Sequence, residues 1–346
     1  MSFKSFLEEG SRLTDREIRT ASREMIKHYA EAEKEIRKSM DKVYSKYLAT
    51  QNKEDYYNIM IQHDRLQKLQ NEVGKVYTYY DKKAGRKVGE AGRLAMSNSF
   101  YRQQYQLSWQ APLSFVSLNP QIVEAAVFGT PRTWQDIPKQ ARERFALKYN
   151  KPLTAYIPQY GSLTKLLSEN RRDDIDRINK AIVQGFIQGK GSKEMSRQIR
   201  DVVGHSAFKA ERIMRTETTR LSAIGDEIMA YDAKDQGLEV KKMWMATLDD
   251  KTRDRHADLD GVMVDLDEEF SGGAMRPGDF SDIGQNINCR CVLNTVVVKD
   301  GEPIKPQTRL GRDPVTGENE AFSYRKFDEW AEEKGIRKTQ SGEMRA

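Results

Sequence analysis

Cys289 and Cys291 stand two residues apart in N-I-N-C-R-C (286–291), and they are the two cysteines of the whole chain. His256, one of four histidines, lies upstream in the run W-M-A-T-L-D-D-K-T-R-D-R-H-A-D-L-D-G that spans 244–261. In extended backbone two side chains at this spacing project to one face. If the His256 loop packs against that strand entrance, one imidazole and two thiols can supply three ligands to zinc, with Asp254, Asp258, Asp260 or water as the fourth. C-x-C is not the C-x-x-C of a zinc knuckle, so a second reading stays open. In it, a buried thiol and an edge thiol simply pack beside a hydrogen-bonded histidine.

The aspartates between Asp249 and Asp267 admit other chemistry. A calcium loop is disfavoured because the ligand spacing and the closing glutamate of an EF-hand are missing. A metal-dependent nuclease would use His256 as general base with nearby acids as metal ligands. Yet the nearest other histidine is His205, and the histidine–asparagine pairing of small metal-finger nucleases is absent. Local roles suit these groups better, with Asp249 and Thr252 capping a turn and Arg253 and Arg255 pairing with neighbouring carboxylates. A second segment, R-I-M-R-T-E-T-T-R (212–220), puts Arg215 and Thr219 on one helix face and Glu217 and Arg220 on another. Its structural reading has Arg215 and Glu217 partly buried and fixing the helix against a strand pair. Its catalytic reading is an ADP-ribosyltransferase-like arginine and glutamate, but no serine–threonine–serine strand or aromatic nicotinamide pocket accompanies them.

The elements that must position these groups follow from periodicity. Apolar residues at Ile18, Met25, Tyr29, Ala32, Ile36, Met40, Val43 and Tyr47 recur at helical spacing from a cap at Thr14 or Asp15. Asn52–Asp55 break this helix, and a second run from Tyr56 to Tyr80 returns, weakened by Gly74 and Gly85. Lys82, Lys83, Arg86 and Lys87 fall in that glycine-softened turn. Arg93–Ser108 and Gln121–Phe128 read as helices, Pro112, Pro120 and Pro131 as punctuation, and Trp134–Tyr149 as helical again, with Pro152 and Pro158 marking another break. Near Ser162 a second block opens. It holds a helix at Asp173–Gly189, a short helix from Ser192 to Gly204, a third at Phe208–Tyr231, strands at Glu239–Thr247 and Cys291–Val298, and a late helix at Ser323–Lys334. The expected class is α+β, with a long helical N-terminal half followed by a small mixed domain carrying a short antiparallel sheet. Expected divisions are 1–160, 161–300 and a tail at 301–346.

Composition narrows the setting. Over 346 residues, 38% are hydrophobic and 32% charged, and the mean hydropathy is -0.78, polar for one compact globule. Long two-sided helices account for such a balance. The N-terminus lacks the apolar core of a secretory signal, no apolar run of about 18 residues can cross a membrane, and two close cysteines do not make a disulfide-stapled secreted fold. An intracellular origin is expected. The net charge of +6 is compatible with nucleic acid, but acids interleave with the bases along most of the chain.

Taken together, R-T-E-T-T-R (215–220), the Trp244–Gly261 run, N-x-N-C-R-C and the lead-in G-F-I-Q-G-K-G-S-K-E-M-S-R-Q-I (185–199) resemble the Mu F-like minor head proteins of tailed bacteriophages. The resemblance covers about residues 170–300, where Arg215, Glu217, Trp244, Asp249, Arg253, Asp260 and Gly261 carry the family motif. It implies a non-enzymatic head-morphogenesis protein inside the virion, assembled in the host cytoplasm. It also implies association with the portal protein and with capsid or scaffolding proteins. Some such proteins touch packaged double-stranded DNA and aid viral genome ejection. Read by themselves, Lys82, Lys83, Arg86 and Lys87 either sit against phosphates in such a role or form a solvated loop. Certain relatives carry a toxin domain after this module. The stretch after Cys291 is expected to be too short for one. The competing readings are an enzyme built on the His256 and acidic cassette, and a plain DNA-binding module without portal contact.

Overall fold

The computed structural model describes residues 3–49, 56–129, 138–149, 153–156, 163–188, 190–312, 319–338 and 344–345. In chain order it runs α1 (Phe3–Leu48), α2 (Tyr56–Ser108), α3 (Pro120–Phe128), α4 (Lys139–Tyr149), a 3-10 turn (Leu153–Tyr156), α5 (Leu163–Ile187) and α6 (Ser192–Asp235). There follow β1 (Val240–Met245), α7 (Asp254–Asp258), β2 (Met263–Val264), α8 (Ile283–Asn286), β3 (Val292–Lys299) and β4 (Glu302–Pro303). The tail adds β5 (Thr308–Arg312), β6 (Asn319–Ser323), α9 (Phe327–Glu333), β7 (Arg337–Lys338) and β8 (Met344–Arg345). The α+β class expected from periodicity holds. The expected break at Asn52–Asp55 and the signals at Pro131, Trp134, Pro152, Pro158, Ser162 and Gly189 lie outside the described residues. None of the described helices is long and apolar enough to cross a membrane.

The chain divides into two compact units, residues 19–90 with 163–213, and residues 1–18 with 91–162 and 214–346. In the first, the stripe Met25, Tyr29, Ala32, Ile36 and Met40 of α1 is buried, as are Leu69, Val73, Tyr77, Ala84 and Val88 of α2. Spacings of three and four place each set on one helix face, and burial of that face is what stabilises helices of this length. The two helices run antiparallel. Tyr29 Oη donates to Asp81 Oδ1 at 2.9 Å, and Ser39 Oγ to Glu72 Oε1 at 2.7 Å. Arg171 of α5 donates to the other Asp81 oxygen at 3.0 Å, and Tyr77 Oη donates to Asp174 at 2.9 Å.

Two expectations about glycine are overturned. Gly74 and Gly85 neither end nor soften α2, which continues unbroken to Ser108, and Gly204 does not stop α6, which runs through to Asp235. A helical glycine costs about 1 kcal/mol relative to alanine. The buried rows on either side outweigh that: Tyr77, Ala84 and Val88 around Gly85, and Val202, Val203, Ser206 and Ala210 around Gly204. At Gly85 the missing side chain is also useful, because a Cβ there would come within 3.0 Å of Leu167 Cδ1.

In the second unit α2 and α6 meet along small residues. A Cβ on Gly92 would lie 2.6 Å from Leu221 Cδ1, and one on Gly225 would lie 2.3 Å from the Met96 carbonyl oxygen. Ser222 Oγ donates to Ala95 O at 3.3 Å, and Ser99 Oγ to Asp226 Oδ1 at 2.5 Å. α3 has a sequence-encoded start and stop: Asn119 accepts from Gln121 N at 2.9 Å, Pro120 opens the first turn, and Gly129 ends it at φ 45°. The four-stranded antiparallel sheet has the order β2-β1-β3-β4, with Trp244 opposite Leu293 and Lys242 opposite Thr295. One core gathers Trp244, Leu293, Phe270, Phe280, Phe327 and Trp330.

Asp226 sits wholly inside the α2–α6 contact, where burial raises its pKa from 3.8 to about 6 against the opposing pull of Arg102 and Ser99. A carboxyl whose folded pKa exceeds its unfolded value holds its proton more tightly when folded. Its contribution to stability is therefore complete below about pH 4 and declines as pH rises through about 6. Asp226→Asn removes the charge, so its advantage over the parent should grow from near zero at about pH 4 to about 2–3 kcal/mol at about pH 7. Urea unfolding of both proteins across that range checks this. An advantage that does not change with pH would mean that the carboxylate is solvated.

Candidate metal centre

The centre is built by three segments of the second unit. β1 brings in Trp244, whose ring stands 5.3 Å from both Phe270 and Phe280 and edge-on to His256 at 5.9 Å. The backbone then reverses: Trp244 N donates to Val262 O at 3.0 Å, and Gly261 N to Trp244 O at 2.8 Å. Gly261 has φ 76°, and a Cβ there would meet Tyr324 Oη at 3.0 Å, so the D-G step is required for both reasons. Within the reversal, Asp249 Oδ1 accepts from Lys251 N at 3.0 Å and from Thr252 Oγ1 at 3.1 Å, the turn cap expected from the sequence. One turn of helix, α7, then turns His256 inward.

The cysteine segment is held from all sides. Asn286 pairs with the backbone of Phe280 in both directions, at 2.8 and 2.7 Å. Asn288 adopts φ 54°, a left-handed conformation that asparagine tolerates better than most residues. From α6, Thr216 Oγ1 accepts from Asn288 N at 3.1 Å, and Thr219 Oγ1 donates to Cys289 O at 2.6 Å. Thr247 Oγ1 donates to Arg290 O at 2.6 Å. Thr216 and Thr219 of R-T-E-T-T-R are thus clamps that set the backbone of C-R-C, while Thr218 bonds back to Arg215 O within its own helix.

At the centre, His256 Nδ1 is 3.2 Å from Cys291 Sγ and 3.5 Å from Cys289 Sγ, and the three ligand atoms lie within 4.8 Å of one another. All three side chains are buried. His256 Nε2 is 3.1 Å from Gln285 Oε1. With Nε2–H donating to that oxygen, Nδ1 carries a bare lone pair between the two sulfurs. A hydrogen bond from Cys291 holds the Cys289 thiol well below its ordinary pKa, and His256 adds to this. Burial, together with the neighbouring Cys289, pushes Cys291 up.

The other expected site residues fall elsewhere. Asp258, expected as a possible fourth ligand, is exposed and lies outside the cluster of His256, Cys289 and Cys291. Asp260 is spoken for by a buried ion pair: Arg309 reaches its two oxygens at 2.7 and 3.0 Å, while Ala246 N and Phe327 N each donate to it at 2.7 Å. Among the described residues Arg253 and Arg255 pair with carbonyls, where neighbouring carboxylates were expected. Arg253 donates to the carbonyls of Gln285 (3.2 Å) and Ile287 (2.7 Å), and Arg255 donates to Gly272 O at 3.2 Å. The partner of Asp249 is Arg290. Arg215 is exposed rather than partly buried, and the buried arginine of that motif is Arg220. It pairs with Glu217 at 2.8 Å, at the expected i, i+3 spacing, and donates to Tyr156 O and Ala126 O. Lys82, Lys83, Arg86 and Lys87 lie in the middle of α2, in the first unit, not in a turn. Lys83 covers the Tyr79 ring at 4.4 Å, Lys87 is paired with Glu24 and Glu90, and Lys82 and Arg86 are exposed.

Sequence reasoning missed Gln285, Arg309 and the buried pair Arg276–Glu227 (2.7 Å). No spacing rule flags these residues, because each partner comes from a separate segment. For catalysis the arrangement is poor. Both ring nitrogens of His256 are engaged beneath the surface, so the imidazole cannot take a proton from a solvent-borne substrate without breaking its own bonds. Glu217 is equally enclosed. Three convergent soft ligands can instead hold a cation.

Comparison with known proteins places the cluster inside a matched family domain. Residues 176–294 match the family model described as Phage Mu protein F like protein. The chain is 26% identical over 334 residues to minor head protein GP7 of Bacillus phage SPP1, covering 94% of this chain and 97% of that one. It is 34% identical over 171 residues to NAD(+)--arginine ADP-ribosyltransferase EFV of Enterococcus faecalis, and 26% identical over 170 residues to an uncharacterized protein of Haemophilus influenzae. Each of those two matches takes in 49% of this chain, which spans only 34% of the length of the relative. No solved structure matches it. Residues 176–294, which hold the His256–Cys289–Cys291 cluster and its threonine clamps, are thus the part of this chain that matches the family of Phage Mu protein F like proteins.

Proposed function

We propose that this chain is a minor head protein of a tailed bacteriophage, a non-enzymatic component of the virion that other head proteins recruit during assembly. The similarity to a minor head protein along 94% of this chain carries the reading, because it extends through the helical half as well as the family domain. The portal is the proposed partner. Tyr101, Tyr105 and Trp109 follow at i, i+4 and i+8 on the end of α2, and all are exposed, with Phe115 stacked on Tyr101 at 5.9 Å. Aromatic residues exposed in a row suit a protein interface better than solvent. Purified procapsids should contain the chain, and a Tyr105→Ala, Trp109→Ala variant should be depleted from them while remaining folded. Procapsids that form without the wild-type chain in them would overturn the reading.

DNA contact and help in genome ejection are proposed as secondary roles. Of the four basic residues first considered, Lys82 and Arg86 are the better placed, since Lys87 is already neutralised by two glutamates. Contacts of this kind go to phosphates, so binding should weaken steeply with salt and show no base preference. A mobility shift unchanged from low to high salt would contradict it. The similarity to an ADP-ribosyltransferase supports a second reading as an enzyme, though it spans 34% of that relative. Arginine modification with consumption of NAD+ by the purified chain would favour that reading over the first.

A further inference from the structure

We propose that His256, Cys289 and Cys291 form a zinc site, with His256 Nδ1 and the two Sγ atoms as protein ligands and a water in the fourth position. The distances fit the ion. Zinc bonds of about 2.0 Å to nitrogen and about 2.3 Å to sulfur at tetrahedral angles put N and S about 3.5 Å apart. The two N···S separations here are 3.2 and 3.5 Å. Without a cation, the one lone pair on the ring nitrogen can accept fully from a single S–H, and the other thiol is left with sulfur, a weak acceptor, as its partner. A dication between the three atoms engages all of them at once.

The surroundings favour the same assignment. Gln285 Oε1 occupies the far side of the ring, 3.1 Å from Nε2. Metal-bound histidines are commonly oriented by such an acceptor, which fixes the tautomer and aims the free lone pair at the ion. The two sulfurs are brought to one side by backbone bonds from Thr216, Thr219 and Thr247, so the ligands are positioned before any ion enters. The choice of zinc follows from donor type: two thiolates and an imidazole suit a soft or borderline ion, whereas the oxygen-rich magnesium and calcium sites need carboxylates. Among the described residues no carboxylate, histidine or third cysteine joins the cluster, which leaves water as the fourth ligand. Clipping the loop of α7 to the entrance of β3, the ion would join segments 33 and 35 residues apart in the chain.

The test uses the full chain, expressed with zinc, kept reduced and dialysed. Elemental analysis should find one zinc per chain, and cobalt substitution should give thiolate-to-metal charge-transfer absorption. Both cysteines should resist a thiol reagent until a chelator is added, and the chelator should lower the melting temperature. Cys289→Ser and Cys291→Ser should each lose the metal. Gln285→Leu, which leaves the ligands in place, should weaken zinc binding by about 10- to 100-fold. If the cysteine variants do not fold, the thiol-protection and chelator measurements on the wild-type chain decide the matter. A metal-free chain after reconstitution, a disulfide between the two cysteines, or full zinc retained in folded Cys289→Ser would each overturn the site. These outcomes are independent of head incorporation, so the site can fail while the assembly role stands.

Discussion

Gly225→Ala should cost about 3 kcal/mol or more in urea unfolding, although alanine is the better helix former. The added Cβ would lie 2.3 Å from the Met96 carbonyl oxygen and 3.2 Å from Phe100 N. Both neighbours are backbone atoms inside a helix, so neither can swing aside. α2 would have to shift away from α6, loosening the Ser99–Asp226 bond and the Ser222–Ala95 bond with it. Gly204→Ala is the control. It is the same substitution in the same helix, but a Cβ there has nothing within 4 Å. That variant should gain about 0.5–1 kcal/mol from the lower conformational entropy of its unfolded chain. Equal effects at the two positions would show that helix propensity, and not the close approach, governs Gly225.

Arg309→Met should cost about 3–5 kcal/mol, the usual penalty for stripping one partner from a buried ion pair. Asp260 and Arg309 are each 1% exposed, and the pair joins three separate stretches of chain. Arg309 also donates to Ala246 O at 2.5 Å and to Arg325 O at 2.9 Å, while Asp260 takes the amide of Phe327. Without the guanidinium, the carboxylate stays buried with only two amide donors and two carbonyls lose their partner. Asp260→Asn should be similarly costly, and the double variant should lose much less than the sum, because the two residues act as one unit. Limited proteolysis gives a second readout. Residues 301–312 and 319–338 should become cleavable in either single variant while the same stretches of the wild-type chain resist. A loss under about 1 kcal/mol for Arg309→Met would mean that the pair is hydrated and that other contacts hold the tail.

The two effects mark where reading along the chain succeeds and where it stops. Local period is a short-range property, so the stripe Met25–Met40, the Pro120 start of α3 and the strands around Trp244 and Leu293 were legible from residue types alone. The Asp249–Thr252 cap and the Glu217–Arg220 pair were legible for the same reason, each spanning three residues. Helix ends were misjudged at Gly85 and Gly204, where packing supplied by other segments outweighs a propensity cost of about 1 kcal/mol.

By itself, the sequence determined the α+β class, the long amphipathic helices and the presence of one imidazole and two thiols able to share a site. It also determined the family resemblance, since that rests on ordered motifs and needs no coordinates. Only the tertiary structure decided that those three groups converge, that Gln285 orients the ring, and that Asp258 stays outside while Asp260 answers to Arg309. The reason is range. The partners of these groups lie 29 to 49 residues away along the chain, and which of many chemically equivalent acids or bases meets which is set by how the intervening elements pack.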